Sequence, residues 1–273
     1  MRTIAQISDL HFGSHDPAIA RCLLESIGEA KPDLVVLSGD LTQRARHSEF
    51  TLARLFVEQI KQPVLIVPGN HDIPLYNLLH RFLSPLEKFR RHIAPAALSD
   101  DWYCDKELAV LGLNTARSLT WKSGRVSFNQ MALIRRAFSA VPQTAWKVVV
   151  THHPVAAAHG EARIEVAGRS LLALRAIADA GVHLLLSGHH HRPASGHIDT
   201  ELVLNNSVLV VHAGTAVSTR TRAQEGNSYN LICLDGAHAT IDIVEWDGAS
   251  FLRTRRSKFG LDSSAGRIEP EGQ

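Results

Sequence analysis

The chain has 273 residues, 45% hydrophobic and 21% charged, which excludes intrinsic disorder and is enough to bury a core without disulfide or metal support. Lysine and arginine total 29 against 27 acidic residues, a net charge of +2. That argues against a non-specific nucleic-acid binder, which carries a strongly basic footprint.

In chain order, continuous apolar runs predict strands at Thr3–Ser8, Leu34–Ser38, Val64–Val67, Leu108–Leu113, Lys147–Thr151 and His183–Ser187. Runs without alternation suit central strands covered on both faces. Helices are expected between them over Ala18–Ala30, Ser48–Ile60, Leu75–Phe89, Phe128–Ala140 and Ser170–Ala180. Phe50, Leu52, Leu55, Phe56 and Ile60 give the second helix a core-facing stripe, and Ser127 with Gln130 forms a capping box for the fourth. Alternating strands and helices define an α/β fold. From about Ser195 the pattern changes to turn-linked strands at Leu202–Leu204, Ser207–His212, Tyr229–Leu234 and Thr240–Trp246, an antiparallel finish to the same core. Residues 1–256 thus read as one domain and 257–273 as a polar, frayed tail. One internal echo stands out: LVVLSGD at Leu34–Asp40 against HLLLSGH at His183–His189.

Three scattered cysteines, Cys22, Cys104 and Cys233, fit free thiols in a reducing compartment. No run approaches the roughly 18 apolar residues of a membrane span. The start MRTIAQISDL carries no charged-then-apolar leader, so the expected compartment is the cytoplasm.

Sixteen histidines exceed the 11 prolines and nine phenylalanines, and their positions carry the chemistry. The first strand ends in Ser8-Asp9-Leu10-His11, the second in Ser38-Gly39-Asp40 and the third in Pro68-Gly69-Asn70-His71-Asp72. A later strand runs into Thr151-His152-His153-Pro154, and the next into Ser187-Gly188-His189-His190-His191. In open α/β sheets, sites form outside the carboxyl ends of strands, so these five loops should converge. Gly39, Gly69 and Gly188 suit the tight turns required. Carboxylates, an amide oxygen and imidazoles are donors for Zn, Mn, Fe or Co rather than Ca. Seven such ligands exceed one tetrahedral ion but fit two ions sharing a carboxylate, an arrangement suited to in-line phosphoryl displacement.

These five blocks, D-x-H, G-D, G-N-H-D, H and G-H-x-H in order from Asp9 to His191, resemble the calcineurin-like metallophosphoesterase superfamily. Class III cyclic nucleotide phosphodiesterases and glycerophosphodiesterases are the most similar members. The resemblance implies a sandwich of two mixed β-sheets flanked by helices. It implies one metal on Asp9, His11 and His191, a second on Asn70, His152 and His189, and Asp40 bridging both. His71 is implied as the catalytic residue that contacts phosphate or protonates the leaving alkoxide, with Asp72 orienting it. The nucleophile would be a metal-held hydroxide, and the substrate a small phosphodiester such as a cyclic nucleotide or glycerophosphodiester. A phosphomonoesterase, a nucleotide-sugar pyrophosphatase and a DNA nuclease are alternatives in the same superfamily, and the near-neutral charge counts against the last. A non-catalytic protein-binding scaffold is the alternative of another class; the intact ligand set counts against it. No membrane partner is expected, and a homo-oligomer is left open.

Other residues carry weaker signals. His153 neighbours a ligand, but alternation along an extended segment favours a structural role, and His190 faces either substrate or solvent. The spacing G-H-x-H selects His189 and His191 over His190. His47, His80, His92, His159, His183, His197, His212 and His238 match no block; His15 does not either, but is near enough to touch substrate. Asn114, in the loop after a strand, reads as a plain turn that could alternatively supply a substrate contact. Arg44 and Arg46 read as solvating a helix start, with steering of an anionic substrate as the alternative, and Arg81, Lys88, Arg90, Arg91 and His92 read as a solvated helix face.

Overall fold

The computed structural model describes residues 1–75, 78–98, 101–118, 122–159, 161, 164–198, 208–219, 226–262 and 267–270. The six apolar runs form β1 (Arg2–Ile7), β2 (Leu34–Leu37), β3 (Val64–Ile66), β5 (Leu108–Leu113), β6 (Trp146–Thr151) and β7 (Leu184–Ser187). They are joined by β4 (Trp102–Cys104), β8 (Ala194–His197), β9 (Leu209–His212), β10 (Ser228–Asp235), β11 (His238–Trp246), β12 (Phe251–Asp262) and β13 (Arg267–Pro270). One sheet runs β13-β12-β11-β10-β1-β2-β3 and the other β4-β5-β6-β7-β9-β8. Both are mixed, as expected: β1, β2 and β3 are parallel to one another, as are β5, β6, β7 and β9, while the flanking pairs are antiparallel.

Four layers result from the two faces of each strand. In β1, Ala5 and Ile7 face α1 (Pro17–Ala30) and α2 (His47–Val57), packing with Leu23, Ile27, Phe50 and Phe56. In the second sheet, Leu111, Val149 and Leu185 pack with Met131, Ile134 and Phe138 of α5 (Phe128–Phe138) and Leu174 and Ile177 of α6 (Ser170–Asp179). The alternate residues Ile4, Val36, Val150, Leu186 and Val211 form the layer between the sheets. Covering on both sides is why these strands read as unbroken apolar runs.

Four expectations need correction. The helix expected over Leu75–Phe89 is two short ones, α3 (Leu78–Leu83) and α4 (Glu87–His92). Pro85 lacks an N–H and disfavours the helical conformation at Ser84, so the helix breaks there. The tail boundary at 257 does not hold, because β12 pairs with β11 to Gly260 and with β13 beyond it. Its polar residues are ordered by pairing and by Arg256, which donates to both Asp242 carboxylate oxygens at 2.6 and 2.8 Å. The stripe on α2 is narrower than expected, since Leu52 and Leu55 are exposed and Ala53 and Val57 take their place. Arg81 is no solvated residue: its guanidinium is buried and donates to Ser118 O at 2.8 Å and Pro74 O at 3.1 Å. The strand expected at Leu202–Leu204 lies outside the described residues. Among the described residues no helix is long and apolar enough to cross a membrane.

The sheet edge away from the strand-end loops holds a neutral histidine. His183 Nδ1 accepts from Lys147 N at 3.0 Å, so that nitrogen bears no proton. Burial, with the Lys147 charge beside it, pushes its pKa down to about 4. The unfolded chain therefore binds more protons between pH 6.5 and 4, and stability falls as pH drops through that window. Urea unfolding at pH 7 and pH 5 is expected to show the wild type losing about 1–2 kcal/mol more than His183→Gln. Equal losses would show that His183 is not held neutral.

Candidate metal centre

The five loops behind β1, β2, β3, β6 and β7 meet at one edge of the sandwich. The chain is forced into unusual backbone there. Nine described non-glycine residues have positive φ, and five are Asp9 (53°), His11 (48°), Asp40 (53°), His189 (76°) and His191 (61°). Left-handed backbone costs an L-residue roughly 1–2 kcal/mol and persists where the surroundings over-determine it. Gly39 sits at φ 95°, and a Cβ on it would strike the His152 ring. At Gly69 a Cβ would overlap the Asp40 carboxylate. Both glycines are demanded by close approach.

Two clusters result. In the first, His11 Nε2 and His191 Nε2 lie 3.2 Å apart, and Asp9 Oδ1 is 3.1 Å from His191 Nε2 and 3.6 Å from His11 Nε2. In the second, His152 Nε2 is 3.2 Å from Asn70 Oδ1, 3.3 Å from His189 Nδ1 and 3.3 Å from Asp40 Oδ2. The same Asp40 oxygen is 3.9 Å from His11 Nε2, so one carboxylate reaches both clusters.

Each carboxylate divides its oxygens. Asp9 Oδ2 accepts from Ser8 Oγ at 2.6 Å and His189 N at 3.0 Å, leaving Oδ1 to the cluster. Asp40 Oδ1 accepts from His71 N at 2.8 Å, leaving Oδ2. His152 Nδ1 lies 2.8 Å from Ser38 O; a carbonyl only accepts, so Nδ1 carries the proton and Nε2 offers a lone pair. With the lone pairs of Asn70 Oδ1 and Asp40 Oδ2, and that of His189 Nδ1 in its Nε2–H tautomer, the atoms converging on His152 Nε2 form a set that fits a cation among them.

The electrostatics agree. Burial would raise both carboxyls, but the imidazoles of His191, His11 and His152 hold Asp9 well below the usual range, and those of His152, His71 and His11 do the same for Asp40. Burial opposes charge on His152, yet Asp40 and Asp9 raise it to about 9. Burial and the neighbouring His152 lower His189 to about 3. A field that holds a proton on His152 also favours a divalent ion there.

All seven expected ligand residues are therefore brought together, and His189 and His191, not His190, turn inward. His190 Nε2 instead lies 3.0 Å from Glu165 O. His153 is buried, with Nδ1 2.9 Å from Thr115 Oγ1 and its ring 4.7 Å from that of His189; it is grouped closely enough with His152 and His189 to share an ion. Asn114 makes a turn, its Oδ1 accepting from Ala116 N at 2.9 Å, and Arg44 is exposed. His15 packs against Phe12, ring centroids 4.5 Å apart and planes tilted by 54°.

The role expected of Asp72 is not the one found. Its carboxylate accepts from Gly69 N at 2.9 Å, Thr42 N at 2.9 Å, Thr42 Oγ1 at 3.0 Å and Leu41 N at 3.2 Å, tying the β2 and β3 loops together. Burial and the nearby Asp40 charge raise it to about 6. His71 is oriented instead by Gln43, whose backbone O lies 2.8 Å from His71 Nδ1. Thr215, also absent from the sequence reading, donates through Oγ1 to Asp9 O at 2.7 Å.

Two facing mixed sheets with ligand side chains gathered behind their parallel strands define a metallophosphoesterase-type protein. The chain belongs to the calcineurin-like phosphoesterase family, whose model matches residues 2–193. Its fold is similar to that of a dimetal phosphatase from Danio rerio, with a TM-score of 0.64 at 13% identity over 94% of this chain and 98% of that one. A probable glycerophosphodiester phosphodiesterase GpdQ from Arcobacter nitrofigilis is 25% identical over 226 residues, 78% of this chain and 77% of that protein. The glycerophosphodiester phosphodiesterase GpdQ of Enterobacter lignolyticus is 34% identical over 80 residues, and the match spans only 29% of its length.

Proposed function

We propose that the chain is a two-metal phosphodiesterase that cleaves a small phosphodiester, a cyclic nucleotide or a glycerophosphodiester, by in-line attack of water on phosphorus. The observation that carries this reading is the Asp40 carboxylate, with one oxygen facing imidazoles of both clusters. Asp9, His11 and His191 would hold one ion, Asn70, His152 and His189 the other, and Asp40 both. Bound there, a transition-metal pair (Mn, Fe, Zn or Co) would lower the pKa of a water and offset charge on the phosphoryl oxygens.

The remaining work falls to the chain itself. Ser38 O fixes the His152 tautomer, and Gln43 O fixes that of His71. With Nδ1 so committed, His71 Nε2 is the free nitrogen, and its ring stands edge-on to His11 at 4.9 Å. In its imidazolium form His71 carries a second proton on Nε2, which passes to the leaving alkoxide as its bond to phosphorus breaks, giving an alcohol and a phosphomonoester and leaving the neutral ring with its proton on Nδ1.

On metal-loaded protein, bis(4-nitrophenyl) phosphate is expected to turn over about tenfold or more faster than 4-nitrophenyl phosphate, a transition-state preference of at least about 1.4 kcal/mol. Faster monoester turnover would replace this reading with that of a phosphomonoesterase.

A further inference from the structure

Each cluster takes side chains from both sheets. Asp9 and His11 behind β1 meet His191 behind β7, while Asp40 and Asn70 behind β2 and β3 meet His152 and His189 behind β6 and β7. Ligand spacing therefore depends on how one sheet lies across the other. The layer between them is apolar over most of its extent, through Ile4, Val36, Leu186, Val211 and Ile232. Such packing is non-directional, and at the end far from the strand-end loops the sheets are tied by Trp146 Nε1, which donates to Gly236 O at 3.0 Å.

The row nearest the metal edge differs. Gln6 and Asn230 are paired across β1 and β10, two residues along from the pair Ile4 and Ile232. Both are fully buried. Gln6 Nε2 reaches across to the second sheet, donating to Ser187 O at 3.0 Å and Val211 O at 3.5 Å, and lies 3.5 Å from Ser38 Oγ. Asn230 Nδ2 donates to Gln6 Oε1 and to His212 O, each at 3.0 Å. Ser38 and Ser187 are the matching serines of the LVVLSGD and HLLLSGH echo, each standing just before a ligand-bearing loop. The network is not fully satisfied: Asn230 Oδ1 and Ser187 Oγ are buried with no partner among the described residues. Fixing register is the best-attested reason for keeping buried polar groups.

We infer that Gln6 and Asn230 are positioning residues that lock the register of the two sheets and so set the spacing of the metal ligands. The inference rests on the two-metal reading above. The double variant Gln6→Met/Asn230→Leu keeps the length of both side chains and removes the hydrogen bonds that these two side chains make. In a manganese titration its second ion should bind about tenfold or more weakly, in the range seen when groups supporting metal ligands are removed. The electron paramagnetic resonance signal of the coupled pair should weaken in parallel. Wild-type manganese affinities and spectrum in the variant would overturn the lock, whether or not its melting temperature had changed. If the double variant does not fold, Gln6→Met alone is judged by the same titration. A wild-type protein that takes up fewer than two ions would remove the two-metal reading, and the lock with it; that result is read before any variant is made.

Discussion

Asp40→Asn is expected to lower turnover by about a thousandfold or more, equivalent to about 4 kcal/mol of transition-state stabilisation, and to leave no more than one tightly held ion. The Asp40 carboxylate is buried and divided, with Oδ1 accepting from His71 N at 2.8 Å and Oδ2 facing His152 Nε2 at 3.3 Å and His11 Nε2 at 3.9 Å. Asparagine keeps the volume and replaces one oxygen with a donor. With the amide nitrogen at the Oδ1 position, two donors meet at His71 N. With it at the Oδ2 position, N–H bonds point at both ion positions. Neither orientation suits, and the negative charge that balances the surrounding imidazoles is lost as well. Metal content after dialysis and hydrolysis of bis(4-nitrophenyl) phosphate measure the two effects. Two retained ions with activity within about tenfold of the wild type would show that Asp40 is not shared.

What the amino-acid sequence revealed, and what it hid, follows from which atoms carry each contact. The central strands were legible because helices cover one face and the other sheet covers the opposite face. The edge strands β4 and β8 were not: Trp102–Cys104 and Ala194–His197 are short, and only partly buried, and are strands because Leu111–Ala109 and His212–Leu209 offer them a pairing edge. β12 was hidden for a related reason, since Arg253, Arg255 and Arg256 give no apolar run, and they stand in a strand where Asp242 and Glu245 on β11 answer them. At the candidate metal edge, side-chain chemistry was legible, as Asp9, His11, Asp40, Asn70, His152, His189 and His191 all meet through their own side chains. Contacts made by backbone were not. Any residue could supply the carbonyls of Ser38 and Gln43 that fix His152 and His71. Asp72 was misread because a carboxylate beside a catalytic histidine suggests a pair, whereas four donors from the neighbouring loops had already claimed it.

His71→Gln is expected to keep both ions and to lower kcat by about a hundredfold to ten-thousandfold, the usual range for loss of a general acid. The ions should stay because the only bond from His71 to Asp40 runs from its backbone N–H, which any side chain preserves. The ring itself is held through Nδ1 by Gln43 O at 2.8 Å, beside His11 at 4.9 Å, which presents Nε2 as the nitrogen free to carry a proton. The size of the loss should depend on what leaves. An alkoxide needs a proton as its bond to phosphorus breaks, whereas 4-nitrophenolate is a weak base and departs without one. The defect with a glycerophosphodiester should therefore exceed that with bis(4-nitrophenyl) phosphate by about tenfold or more, since proton donation favours only the first transition state. Equal defects on both substrates would place His71 on the phosphoryl oxygens instead, as a charge stabiliser that every substrate needs. Loss of an ion would make the ring a ligand, and the metal content of the same sample separates that outcome from the other two.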